Sequence, residues 1–243
     1  MRTRIFIALL LVTGLVIAGK KVKTELFSVE KYGTKNTGTS LQLKFAKGAE
    51  HNHPLFAVWL ADEKGKYIQT LYVSESIGKG VFKRGSRSTG KWMPGEIQRP
   101  ATLPYWIHQR NEKNEKGGLL PTPQNPVVDA YTGATPQSSF VLNVITEKPL
   151  NGNYKIMLEL NQSWDWNEAW YNARFPDDKE YKTSSQPALV YAADINSTKI
   201  GVEIPLKPIG HSHFSGKDGS LTTDLSTITT ALKIAKNISI KVQ

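Results

Sequence analysis

Four of the five histidines fall in two pairs of identical spacing, His51-Asn52-His53 and His211-Ser212-His213. On a β-strand, residues i and i+2 share a face about 6.8 Å apart along the chain, close enough for two imidazoles to converge on one metal ion. Pro54 favours extended backbone at His53, and Gly210 and Gly216 flank the second pair, so extended or turn backbone is expected at both. Random placement of five histidines gives on the order of 0.1 such pairs, which makes two unlikely as an accident. Imidazole suits Zn, Cu, Ni or Fe. With no cysteine and only Met93 and Met157 beyond the N-terminal leader, a Cu(I) or blue-copper site is disfavoured. His108 is a candidate fifth ligand. The alternatives are imidazoles that cap turns and bind backbone, or that act in acid–base or pH-sensing chemistry.

Other constellations carry less specific chemistry. Ser163-Trp164-Asp165-Trp166-Asn167, followed by Trp170 and Tyr171, places two tryptophans on one face of an expected strand end. That suits stacking on a sugar ring, and it suits core or edge packing better. Asp165, Asp177, Asp178 and Glu180 lack the regular oxygen spacing of a calcium loop. Gly85-Ser86-Arg87-Ser88-Thr89-Gly90-Lys91 nearly spells a phosphate-binding loop. Trp92 stands where a hydroxyl should hold Mg²⁺, and Pro94-Gly95 breaks the helix that must follow, so that reading is rejected. No HExxH, GxSxG or dinucleotide-type glycine motif is present, and a familiar hydrolase or dehydrogenase is not expected.

The elements that must position these residues read as strands. Apolar residues alternate at Leu41, Leu43, Phe45, then Phe56, Val58, Leu60, then through Tyr67 to Val73. The polar, Gly-containing link Asp62 to Lys66 predicts a hairpin between the second and third runs. Further strands are expected at Phe140 to Ile145, Tyr154 to Trp166, Ala188 to Ile195, Val202 to Leu206 and Ile234 to Val242. The fold class is therefore mainly β, an immunoglobulin-like two-sheet antiparallel β-sandwich with one or two short helices. Those helices are expected near Pro100 to Asn111, where Pro104 argues against a helix interior, and at Thr222 to Lys233, with Asp224 as N-cap. Between residues 74 and 136 the alternation fails, so a long loop is expected to be functional or to cover a face.

Composition sets the surroundings. Met1-Arg2-Thr3-Arg4 followed by apolar Ile5 to Ala18 reads as a signal peptide over residues 1–18, with cleavage near Ala18. At 14 residues the apolar run is shorter than the roughly 20 needed to span a bilayer, so residues 19–243 are expected as a single exported domain without stable membrane insertion. Zero cysteines exclude a disulfide framework, which leaves stability to an ordinary core. The formal charge is +10, and loss of Arg2 and Arg4 takes two charges away to leave +8. From Lys79 to Arg99, six cations (Lys79, Lys83, Arg84, Arg87, Lys91, Arg99) stand against Glu96 alone, a local +5 that is a solvated loop or a face for an anionic ligand or lipid headgroups. Export makes nucleic acid an unexpected partner.

Two family resemblances follow from longer strings. Asp129-Ala130-Tyr131-Thr132-Gly133-Ala134-Thr135-Pro136 resembles the signature around the covalent flavin of exported FMN-binding domains, which implies a cofactor contact at Asp129, Thr132, Gly133, Ala134 and Thr135. In that family the flavin-bearing Thr or Ser stands two places after the motif's Thr. Here that place holds Gln137, with Ser138 and Ser139 one and two later, so covalent FMN is not expected and a tight Gly-containing turn into the strand at Phe140 is. HNHPLFAVWLADEKGKYIQTL at His51 to Leu71, then DAYTGATP, then NGNYKIMLELNQSWDWN resemble, in that order, the bacterial envelope family called domain of unknown function 2271. The resemblance covers about residues 40 to 205. It implies a periplasmic β-sandwich, often encoded beside flavin transferases and PepSY-type membrane reductases, and carries over no catalytic residue.

The sequence thus points to a periplasmic or secreted, non-enzymatic metal-binding or accessory protein of an envelope redox or metal-uptake system, partnered by a membrane reductase or another envelope protein. The alternatives are an immunoglobulin-like interaction module without a small ligand, and a glycan-binding module.

Overall fold

A computed structural model describes residues 26–128 and 131–243 of the chain. The expected signal peptide and Asp129 lie outside the described residues. The elements run β1 (Ser28–Tyr32), β2 (Ser40–Lys47), β3 (Leu55–Ala61), β4 (Tyr67–Ser74), α1 (Glu75–Lys79), β5 (Val81–Ser86), β6 (Met93–Glu96), α2 (Pro104–Arg110), β7 (Thr132–Gly133), β8 (Phe140–Ile145) and β9 (Asn153–Asn161). They continue through β10 (Leu189–Asn196), β11 (Glu203–Pro205), β12 (Lys207–Ser212), β13 (Leu221–Thr222) and β14 (Ala235–Val242).

Two sheets face one another in a sandwich-like arrangement. One has strand order β1-β8-β2-β14-β11, the other β13-β12-β10-β9-β3-β4-β7. The alternation explains the shared core: Leu41, Leu43 and Phe45 of β2 and Leu142 and Val144 of β8 meet Phe56, Val58 and Leu60 of β3 and Leu158 and Leu160 of β9. An aromatic ladder crosses from one sheet to the other. Phe45 stacks on Phe140 at 4.7 Å, Phe140 on Phe56 at 5.2 Å, and Phe56 on Tyr72 at 4.8 Å. Offset stacking adds to the burial of these large apolar surfaces.

β3 reads Leu-Phe-Ala-Val-Trp-Leu-Ala, and such a continuous apolar run demands burial on both faces. Its odd face supplies Ala57, Trp59 and Ala61 to a second cluster with Met157, Val190, Ile77, Phe82, Leu103, Trp106 and Val127. Ile77, Phe82, Leu103, Trp106 and Val127, from the segment between residues 74 and 136, therefore form a third layer over the outer face of the seven-stranded sheet. The segment is more ordered than the failed alternation implied, because it carries α1, the β5–β6 ribbon and α2. The ribbon is a two-stranded sheet of its own.

Several expectations are corrected. β1 pairs with β8, and β4 with β7, in parallel, so the sandwich is not wholly antiparallel. The strand begun at Tyr154 ends at Asn161, which puts Trp164 and Trp166 in the following loop rather than on a strand face. Thr222 to Lys233 forms no α-helix: β13 takes Leu221–Thr222, and a single 3-10 turn, Ala231–Lys233, precedes β14. α2 does form, because Pro104 is its first residue, where a missing N–H costs nothing. The β3–β4 hairpin forms as expected, closed by Asp62 N–H to Lys66 O at 2.9 Å. Among the described residues, no helix is long and apolar enough to cross a membrane.

Candidate functional site

The two histidine pairs do not assemble into one site: among the described residues no three His, Cys, Asp or Glu side chains come together as a metal group. The spacing argument needs a strand at each pair, and neither pair has one throughout. His51 and His53 occupy the turn before β3, and His53 has φ +59° rather than the extended backbone expected from Pro54. His211 is the penultimate residue of β12 and His213 lies beyond its end. Each ring has local partners. His51 sits edge-on to Phe45 at 5.9 Å, its buried Nε2 has no hydrogen-bond partner among the described residues, and burial holds its pKa below the usual histidine range. His53 Nδ1 lies 3.0 Å from Asn52 Oδ1, and His211 Nδ1 lies 2.9 Å from Ser212 O. His213 Nδ1 accepts the Ser215 N–H at 3.2 Å, and His108 Nε2 lies 3.3 Å from Gly216 O. The contacts at His108, His211 and His213 are the backbone contacts of the structural alternative.

The string Thr132-Gly133-Ala134-Thr135 is not the tight turn expected of it. Thr132–Gly133 forms β7, paired in parallel with Val73 and Ser74 of β4. A side chain at Gly133 would place its Cβ 1.8 Å from the Tyr32 hydroxyl, so any larger residue there requires Tyr32 to move. Tyr72 donates its hydroxyl to Gly133 O at 3.0 Å, and Thr135 Oγ1 donates to Ser74 Oγ at 3.1 Å. The string is thereby fixed at the edge of the seven-stranded sheet.

That edge is one wall of a cleft of about 680 Å³. Ala134, Thr135 and Gln137 line one side, Val81, Phe82, Lys83, Arg84 and Pro94 of the ribbon the other, with Leu55, His53, Lys79 and Arg99 between. The composition is apolar at the walls and cationic at the rim. Glu75 is the one acidic side chain lining it, and it is held by Lys79 at 2.8 Å.

Arg99 is the group that most distinguishes the cleft. Its guanidinium lies over the Phe82 ring at 4.3 Å and the Trp164 ring at 5.0 Å. Burial alone lowers its pKa, with no carboxylate contributing. An arginine stays charged in such surroundings, and the two ring faces offset part of its desolvation. Arg99 also lines a smaller cavity of about 240 Å³ shared with His108, Ile107 and Gly216. Among the described residues Arg99 has no acidic partner, and a guanidinium so placed has donors that suit a carboxylate or phosphate.

One buried acid lies behind the site. Glu159 of β9 is fully enclosed, and burial pushes its carboxyl up to about 8 despite hydrogen bonds from the Tyr105 and Trp106 backbone that act the other way. Trp106 Nε1 donates to Thr70 Oγ1 at 3.1 Å, and Thr70 Oγ1 lies 2.7 Å from the Tyr67 hydroxyl. This network holds α2 on the sheet and so fixes the cover that carries Arg99.

Trp164, Trp166 and Tyr171 are all exposed, and Trp164 donates Nε1 to Lys182 O at 3.1 Å. Asp165, Asp177, Asp178 and Glu180 form no metal group among the described residues. Sequence reasoning missed Arg99 as an individual, since it counted only as one of six cations. It missed Glu159 as well, although an acid between Leu158 and Leu160 in an otherwise apolar strand was a signal.

Comparison with protein-family models, curated proteins and solved structures returns no match to this chain.

Proposed function

We propose that the protein is a non-enzymatic binding or accessory module that works outside the cytoplasm and receives an anionic ligand with an apolar, aromatic body in the cleft. The observation that carries the reading is Arg99, which has no carboxylate partner among the described residues, lies over the Phe82 and Trp164 rings, and lines a cleft of about 680 Å³. In this arrangement Arg99 meets the ligand's charge while Val81, Leu55 and Ala134 cover its apolar part. Lys83 and Arg84 at the rim raise the local concentration of anions. His53 and the Gln137 amide add hydrogen-bonding groups. Few polar groups converging on an apolar hollow is the usual composition of a small-ligand site.

The leader-like Met1 to Ala18 supports the extracytoplasmic setting. The resemblance to the envelope family named above supports a role beside a membrane reductase. Gln137 in place of a hydroxyl residue favours noncovalent retention. Calorimetric titration with naphthyl phosphate tests the reading. Saturable binding of the phosphate, with none of the neutral naphthyl alcohol, is expected. Equal binding of both, or of neither, refutes an anion-directed cleft.

A further inference from the structure

We propose that the β5–β6 ribbon docks on a bilayer leaflet rich in anionic phospholipid, with its tip, Arg87 to Met93, entering the headgroup layer. The ribbon pairs with neither large sheet, so it extends from the cover as a separate two-stranded unit. Lys83, Arg84, Arg87 and Lys91 are all exposed along it. At the same end, Trp92 is 59% exposed and Met93 45% exposed, both beside the ribbon's cations. The tip is ordered by its own contacts. Arg87 lies over the Trp92 ring at 5.1 Å, Thr89 donates to the Met93 sulfur at 3.1 Å, and Gly90 turns the chain at φ +78°.

An indole and a thioether standing among four cations match the layered chemistry of a membrane surface. Indole prefers the headgroup level, thioether the acyl boundary, and the cations meet lipid phosphates. The acid on the ribbon, Glu96, is engaged by Gln124 at 3.1 Å. A single-stranded nucleic acid would need successive aromatic platforms along a groove, whereas the ribbon presents one ring. The tip residues Arg87, Lys91, Trp92 and Met93 lie outside the cleft's lining, whereas Lys83 and Arg84 belong to both.

The test is sedimentation of residues 19–243 with vesicles of phosphatidylcholine alone or mixed equally with phosphatidylglycerol. Binding to the mixed vesicles only, abolished by about 0.5 M salt, is expected. Trp92→Ser with Met93→Ser should weaken it at least about tenfold. Arg87→Ser with Lys91→Ser should weaken it about thirtyfold, both variants keeping the parent's circular dichroism and thermal midpoint. Arg99→Ala should bind vesicles as the parent does, which separates this surface from the cleft. No binding to the mixed vesicles, binding untouched in both tip variants, or retention on heparin without vesicle binding overturns the proposal.

Discussion

Both carboxylate oxygens of Glu159 are met by consecutive backbone N–H groups at the start of α2, Oε1 by Tyr105 at 3.1 Å and Oε2 by Trp106 at 2.7 Å. The bond joins the middle of a central strand to the layer that covers it. The first turn of a helix leaves such N–H groups without intrahelical partners, and Glu159 supplies them. Because the carboxyl is buried without a cation, its pKa in the fold is pushed up to about 8, against an ordinary value near 4.5.

The sign of the pH effect follows. Between those two values the folded chain holds a proton that the unfolded chain has released, so stability falls as pH rises from about 5 to 8. Urea unfolding at a series of pH values should show this slope, and Glu159→Gln should flatten it. Glu159→Ala strands the N–H groups of Tyr105 and Trp106, and should cost roughly 1–3 kcal/mol at pH 6. A slope unchanged in Glu159→Gln would assign it to another group.

His51 should act in the opposite direction. Its ring is lowered in pKa chiefly by burial, with its backbone hydrogen bond opposing, so the fold resists protonation that the unfolded chain accepts. Stability contributed by the neutral ring is complete above the unfolded histidine value near 6.5 and is lost as pH falls below it. His51→Phe keeps the edge contact with Phe45 and should reduce the loss of stability as pH falls below about 6.5, measured by thermal unfolding. An acid limb identical to the parent's would show that His51 does not titrate in the way its burial requires.

Gly133→Ala should destabilise by about 1–3 kcal/mol, because the new Cβ meets the Tyr32 hydroxyl at 1.8 Å. Tyr32→Val in the same chain should recover part of that loss by opening the space, at the expense of the Tyr32–Tyr72 edge contact at 4.9 Å. Additive costs in the double variant, measured by denaturant midpoint, would contradict the clash.

Much of the sandwich was legible because its strands alternate. Phe140 to Ile145 coincides with β8, and the runs at Leu41 and Phe56 lie within β2 and β3. The cover was less legible. Its short elements bury isolated residues such as Ile77, Phe82 and Trp106, which makes no period, and the clearer sign was the two-sided apolarity of β3. The histidine pairs do not come together among the described residues, since i, i+2 spacing fixes a shared face only within a strand, and His51, His53 and His213 stand outside one. Arg99 was hidden in a basic run, because what sets it apart is the meeting of Phe82 and Trp164, residues far apart in the chain.

The central claim is that Arg99 supplies the charge for an anion in the cleft, and titration of naphthyl phosphate into Arg99→Ala and Arg99→Lys tests it most directly. Loss of a charge-assisted bond of about 1.5–3 kcal/mol predicts affinity weakened by roughly ten- to a hundredfold in Arg99→Ala, with partial retention in Arg99→Lys and an unchanged thermal midpoint. Affinity in Arg99→Ala equal to that of the parent would contradict the account.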